Sequence, residues 1–102
     1  MKQKLILRQE AERDLTEAHA WYEERMPGLG SDFLVIMERA LESIQENPAQ
    51  FPLIYRDVRR ALSSRFPYGV FLVWEAQRIS VMAVMHTARK PTKWRRRLRG
   101  NP

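Results

Sequence analysis

The chain has two histidines, His19 and His86, and no cysteine, so the groups able to transfer a proton near neutral pH are few. His86 closes an apolar run and is followed closely by Arg89, which suits a site at a strand end; the other reading, which the spacing favours, is a capping or core-edge histidine hydrogen-bonded to backbone. His19 falls one position off an apolar helical stripe, and the spacing makes it a surface residue. The remaining charged chemistry is cationic. Residues 89–99 hold seven Lys or Arg and no acid, with Trp94 and Leu98 four apart among them. Arg56, Arg59, Arg60 and Arg65 form a second basic group. Guanidinium forks match planar oxyanions, so both groups point to phosphate or to an acidic partner. Arg59 and Arg60, adjacent on one strand, must face opposite ways, and at most one of them can join a given site.

The net charge of +6 conceals a strong asymmetry: residues 1–51 carry six Lys or Arg against ten Asp or Glu, and residues 52–102 carry twelve against two. One half is therefore −4 and the other +10, as expected of a surface that meets a polyanion or an acidic protein. The absence of cysteine excludes disulfides, thiolate chemistry and the usual zinc frameworks, and fits a reducing cytoplasm. No metal site and no cofactor are expected. The longest apolar runs fall far short of the ~20 residues that cross a bilayer, so no membrane span is expected. Residues 1–4 lead into only three apolar residues, which predicts no signal peptide. With 102 residues, 44% of them hydrophobic, one domain with a modest core is expected over the whole length, without repeats or linkers.

Residues 2–8 read as a short strand around Leu5-Ile6-Leu7. Over residues 9–25, Ala11, Leu15, Ala18 and Tyr22 recur at helical spacing with Trp21 beside them, and Glu10, Glu12 and Asp14 favour the helix start. Pro27-Gly28-Leu29-Gly30 breaks this helix. A second helix spans 31–46, with Phe33, Ile36, Met37, Ala40, Leu41 and Ile44 on one stripe and Asn47-Pro48 as its stop. After Phe51-Pro52 the period changes to two, and residues 58–63, 68–75 and 79–86 read as strands. On the last, strict alternation places Ile79, Val81, Ala83 and Met85 on one face and Ser80, Met82, Val84 and His86 on the other. From Thr92 a short basic helix anchored by Trp94 and Leu98 to the sheet edge is expected. The order β-α-α-β-β-β predicts an α+β domain, a helical hairpin on one side of a small, mainly antiparallel sheet. Trp21, Tyr22, Phe33 and Met37 lie near the hairpin turn; most belong to the core, and some are left for a partner groove.

In this order and spacing the segments resemble the RelE/ParE superfamily of toxins from bacterial type II toxin–antitoxin modules. The resemblance is carried by Glu17-Ala18-His19-Ala20-Trp21-Tyr22-Glu23-Glu24, Pro27-Gly28-Leu29-Gly30-Ser31-Asp32-Phe33, Ile44-Gln45-Glu46-Asn47-Pro48 and Phe51-Pro52. It continues through Val58-Arg59-Arg60, Arg65-Phe66-Pro67-Tyr68, Val81-Met82-Ala83-Val84-Met85-His86, and then Arg89, Pro91, Trp94 and Arg95. It is closest to the ParE-like branch, the plasmid-stabilisation proteins. The resemblance implies a growth-inhibiting toxin held inactive by a cognate antitoxin, with Trp21, Tyr22, Phe33, Met37, Arg60, Met82 and Val84 as antitoxin contacts. It also implies a target, DNA gyrase in the ParE-like branch, met by Arg89, Lys93, Trp94, Arg95, Arg96 and Arg97. The RelE-like alternative is a metal-independent endoribonuclease cutting messenger RNA on the ribosome, for which Arg59, Arg60, Arg65, His86 and Arg89 are the candidate catalytic residues. That constellation is incomplete: the tyrosine such enzymes carry near the carboxyl terminus is missing, since the last tyrosine is Tyr68. The reading thus leans to a non-enzymatic gyrase inhibitor; a further alternative is a non-toxic basic nucleic-acid-binding module.

Overall fold

The computed structural model describes residues 2–99, the side chain of Arg99 excepted; Met1 of the amino terminus and the Arg99 side chain of the basic tail lie outside the described residues. The elements are β1 (Lys4–Leu7), α1 (Gln9–Arg25), α2 (Leu29–Glu46), β2 (Leu53–Tyr55), β3 (Val58–Leu62), β4 (Tyr68–Glu75), β5 (Arg78–His86) and α3 (Pro91–Arg99), with a short 3-10 turn at Pro48–Gln50. They form one five-stranded sheet in the order β1-β5-β4-β3-β2. Among the described residues only β1 pairs in parallel, on β5, and the other ladders are antiparallel. The predicted α+β architecture with its helical hairpin is what the chain adopts, with one added strand. That strand, β2, has three residues and a register irregularity, too short to show any alternation.

Helix α2 starts at Leu29, two residues earlier than its periodicity predicts. Gly28 adopts a left-handed conformation (φ 91°) that turns the chain back, and no side chain of its own caps the new helix. The cap comes from the preceding helix. Glu23 accepts the backbone N–H groups of Gly28 at 2.8 Å and Gly30 at 3.0 Å, satisfying amides that a helix start leaves orphaned. Gly30 packs directly against α1: a Cβ there would stand 2.7 Å from the His19 carbonyl oxygen.

The hairpin covers one face of the sheet. Phe33, Ile36, Met37 and Ile44 pack onto Ala61, Val70, Leu72, Ile79, Val81 and Val84, with Leu15 and Tyr22 partly buried against them. Tyr22, Phe33, Phe66 and Tyr68 form an aromatic cluster at one end, with ring centroids 4.9 to 6.2 Å apart. The opposite face is covered by α3, so the domain has three layers. Trp94, 5% exposed, stacks on Phe71 with centroids 4.9 Å apart and joins Val58, Val73, Met82, Ala83 and Met85. The expected seat of Trp94 at the sheet edge is thus corrected to the sheet face. Burying an indole there contributes at most about 4–6 kcal/mol at ~25 cal/mol per Å².

The strict alternation expected along β5 is also corrected. Phe71 pairs with Ala83 but Leu72 with Val81, so Met82 is an extra residue opposite the β4 ladder. A bulge of this kind shifts the side-chain phase by one. Ile79 and Val81 face the hairpin, and beyond the bulge so does Val84, while Met82, Ala83 and Met85 turn toward α3.

Candidate functional site

A groove of about 490 Å³ opens between α1, the far end of β5 and α3. Four positions of α1 supply one wall at helical spacing: Asp14, Glu17, Ala18 and Trp21, with Tyr22 beside them. Tyr68, Val84, Met85, His86, Arg89 and Arg97 supply the rest. The strand ladder sets the first contact across it, because Tyr68 and His86 are direct cross-strand partners. Their rings meet edge to face with centroids 5.5 Å apart.

The groove exists because β1 stops early. It pairs with β5 only as far as Val81, and Arg8 gives the last backbone bond, to the Val81 carbonyl at 3.0 Å. Past that point no strand among the described residues lies beside the outer edge of β5. Two side chains close it instead. Asp14 Oδ2 accepts the Val84 N–H at 2.9 Å, and Arg97 Nη1 donates to the Met82 carbonyl at 3.0 Å. The same carboxylate and guanidinium grip each other through Nη1–Oδ2 at 2.6 Å and Nη2–Oδ1 at 3.0 Å. Their side chains are only 12% and 23% exposed. This hydrogen bonding is the chief reason that Arg97 is held above its ordinary pKa. The bridge therefore ties α1 and α3 together across the sheet edge at the bulge.

Inside the groove, His86 Nδ1 accepts the Ala88 N–H at 3.0 Å, so the neutral ring carries its proton on Nε2. Burial, and then the adjoining Tyr22, pushes the Tyr68 phenol above its usual range, while Arg89 pulls the other way. At neutral pH Tyr68 is a hydrogen-bond donor. One imidazole, two phenols and one exposed guanidinium can bind an oxyanion or an acidic side chain, flanked by the exposed Trp21 ring.

Among the residues singled out from sequence, Trp21, Tyr22, Val84, His86, Arg89 and Arg97 meet in this groove. Arg97 stands there as the partner of Asp14 rather than as a free cation. Phe33 and Met37 are core residues beneath it. Met82 and Arg60 belong to the opposite face of the sheet, where the Arg60 stem lies against Gly69 and its Nε is buried without a hydrogen bond among the described residues. Arg59 shares Leu72's face and donates to the Phe51 carbonyl at 2.6 Å. Arg65 sits on the loop before β4 with φ 65°. Lys93, Arg95 and Arg96 are exposed on α3, whereas Trp94 is buried. Three polar groove residues, Asp14, Glu17 and Tyr68, were not singled out as site residues from sequence, nor were the apolar Ala18 and Met85. The first two did carry a signal, since 14, 17, 18 and 21 repeat at helical spacing next to the apolar stripe.

The sequence matches the family profile described as the ParE toxin of type II toxin-antitoxin system, parDE, over residues 5–91. The chain belongs to this family. It is a ParE-family toxin, and membership in a type II module implies an antitoxin partner. Among solved structures it is similar to the "Chromosomal ParDE TA system from P. aeruginosa", with 16% identity and a TM-score of 0.75 over 83% of this chain and 96% of that one. At that identity the likeness concerns the fold. No curated protein matches. The family match ends at Pro91, so nearly all of α3 in this ParE-family toxin lies beyond it. No helix among the described residues is long and apolar enough to cross a membrane.

Proposed function

We propose that this ParE-family toxin arrests bacterial growth in the cytoplasm by inhibiting DNA gyrase, without a hydrolytic site of its own, and that a cognate antitoxin silences it. The observation that carries the gyrase reading is the dispersal of the cations a nuclease would need. Cutting RNA calls for several positive charges gathered on one phosphate beside a proton-transfer pair. Here Arg59 is engaged by carbonyl oxygens, Arg60 lies on the other face, Arg65 sits on a separate loop and Arg97 is neutralised by Asp14. Only Arg89 is left beside His86 in the groove.

In this reading the antitoxin lays an amphipathic segment into the groove, with the half-exposed Trp21 as its anchor and Tyr22 and Val84 beneath. Arg25 already stacks on that indole at 3.5 Å, so the segment meets an aromatic platform with a cation on it. Phe33 and Met37 support the platform from the core, and Met82 and Arg60 act only from the far side. Target contact falls to Arg89, Lys93, Arg95 and Arg96, while Trp94 and Arg97 hold their helix in place.

The test is a supercoiling assay with purified toxin and gyrase, alongside inducible expression in a bacterium. Loss of supercoiling with trapped, cleaved DNA is expected, reversed by the antitoxin. His86→Ala should change toxicity little. The facing pair Tyr68–His86 beside Arg89 favours one other reading, the ribosome-dependent endoribonuclease. Codon-position cuts in translated messages that vanish in His86→Ala would establish it. Unimpaired growth on expression would instead leave a non-toxic binding module.

A further inference from the structure

On the far side of α3 from the groove lies a second cleft, of about 360 Å³, lined by Tyr55, Arg56, Thr92, Arg95, Arg96 and Leu98. Two guanidinium groups gather on a single ring: Arg95 Cζ lies 4.2 Å from the Tyr55 centroid and Arg56 Cζ 5.0 Å from it. Arg95 also approaches the Trp94 ring at 5.4 Å. All three arginines are exposed, and none forms an ion pair among the described residues. Asp57, next to Arg56 in the turn, does not pair with it. Like charges gathered around one aromatic ring repel one another unless an anion sits between them.

The backbone sets the place of one of these cations. Arg56 occupies the turn between β2 and β3 with φ 52°, in the left-handed region where glycine or asparagine is the usual residue. The tight turn imposes this conformation, as it does on Ala76 (φ 50°) between β4 and β5, and it fixes where the Arg56 side chain leaves the backbone. That position is over Tyr55, facing the arginines of α3.

We propose that this cleft binds the phosphodiester backbone of a nucleic acid, with Arg56, Arg95 and Arg96 as its cations and Tyr55 as the platform that orients them. The forks suit phosphate oxygens, and no acidic residue lines the cleft to offset its three cations. The inference goes beyond the gyrase reading, sharing Arg95 and Arg96 with the target contact proposed there, and does not depend on it.

The experiment is a fluorescence-anisotropy titration of the purified full-length toxin with labelled DNA and RNA duplexes of one sequence, repeated over a range of salt. Three phosphate contacts give a slope of log K against log salt of about −2.7, or about 40-fold weaker binding between about 50 and 200 mM. Arg56→Gly should bind about 10-fold more weakly and flatten the slope by about 0.9, with a melting temperature equal to or above that of the parent. Arg95→Gln with Arg96→Gln should flatten it by about twice as much. The duplex that binds more tightly identifies the source of the phosphates. No binding by the parent, or a slope that none of these variants changes, overturns the proposal. Displacement by polyglutamate as effective as by unlabelled duplex assigns the cleft to an acidic protein and overturns it too. Each outcome is read on the purified protein, so failure of growth arrest in cells leaves it unaffected.

Discussion

Asp14→Ala removes the carboxylate that closes the bare half of the β5 edge, and its cost follows from what is left behind. The Arg97 guanidinium loses both prongs of its partner in a mostly buried setting, and the Val84 N–H loses its acceptor. Hydrogen bonds to charged groups contribute about 1.5–3 kcal/mol, and partial exposure argues for the low side, about 2 kcal/mol for the pair. The orphaned amide adds about 1 kcal/mol. The sum is about 3 kcal/mol. For a domain of 102 residues, unfolding entropy of ~2.1 cal/mol/K per residue converts this into a melting point about 14 °C lower. Arg97→Met should also cost about 3 kcal/mol, because the pair is lost and the Met82 carbonyl loses its donor, while Asp14 keeps its bond to Val84. The double variant should cost about 4 kcal/mol, less than the sum of the single variants, a coupling of about 2 kcal/mol. Urea denaturation of the four proteins measures this cycle. Costs that simply add, with coupling under about 0.5 kcal/mol, would refute the bridge as the element that seats α3 on α1.

Two further outcomes follow from the hairpin. The Gly28 N–H, with Gly30 and His19 adding and burial opposing, holds the Glu23 carboxyl below its ordinary range. A lowered folded value stabilises above the unfolded pKa and is lost as pH falls through the folded one. Glu23→Gln should therefore melt lower than the parent at neutral pH, and the two melting curves should converge as pH drops below about 4. A gap that persists in acid would disprove the carboxylate cap. Gly30→Ala puts a methyl 2.7 Å from the His19 carbonyl and 2.9 Å from Glu23 Oε1, and should cost about 1–3 kcal/mol by chemical denaturation, whereas a neutral effect would show that the helices part easily.

The hairpin was the most legible part of the molecule, because Phe33, Ile36, Met37 and Ile44 recur at 3.6 residues and all four are buried. The start of α2 was less so: its cap is a glutamate on the other helix. Residues 81–85, apolar throughout, carry no alternation to read, and only pairing with β4 reveals that Met82 bulges and that Val84 and Ala83 exchange faces. Trp94 pointed to an ordered tail, and order is what the structure has. Which surface receives the indole depends on Phe71, which lies over twenty positions earlier in the chain.

Local composition determined much about this protein: a cationic second half, a helical hairpin ahead of a sheet, one domain's worth of apolar residues, and segments sufficient to name a family. Those properties depend on neighbours within a turn or two of a helix, so a linear reading retains them. The groove, the sheet edge closed by Asp14 and Arg97 across 83 residues, and the arginines gathered on Tyr55 belong to the tertiary structure alone. Each requires groups from separate elements to meet at a few ångströms. That meeting is decided by strand register and helix packing, neither of which leaves a periodic trace in the chain.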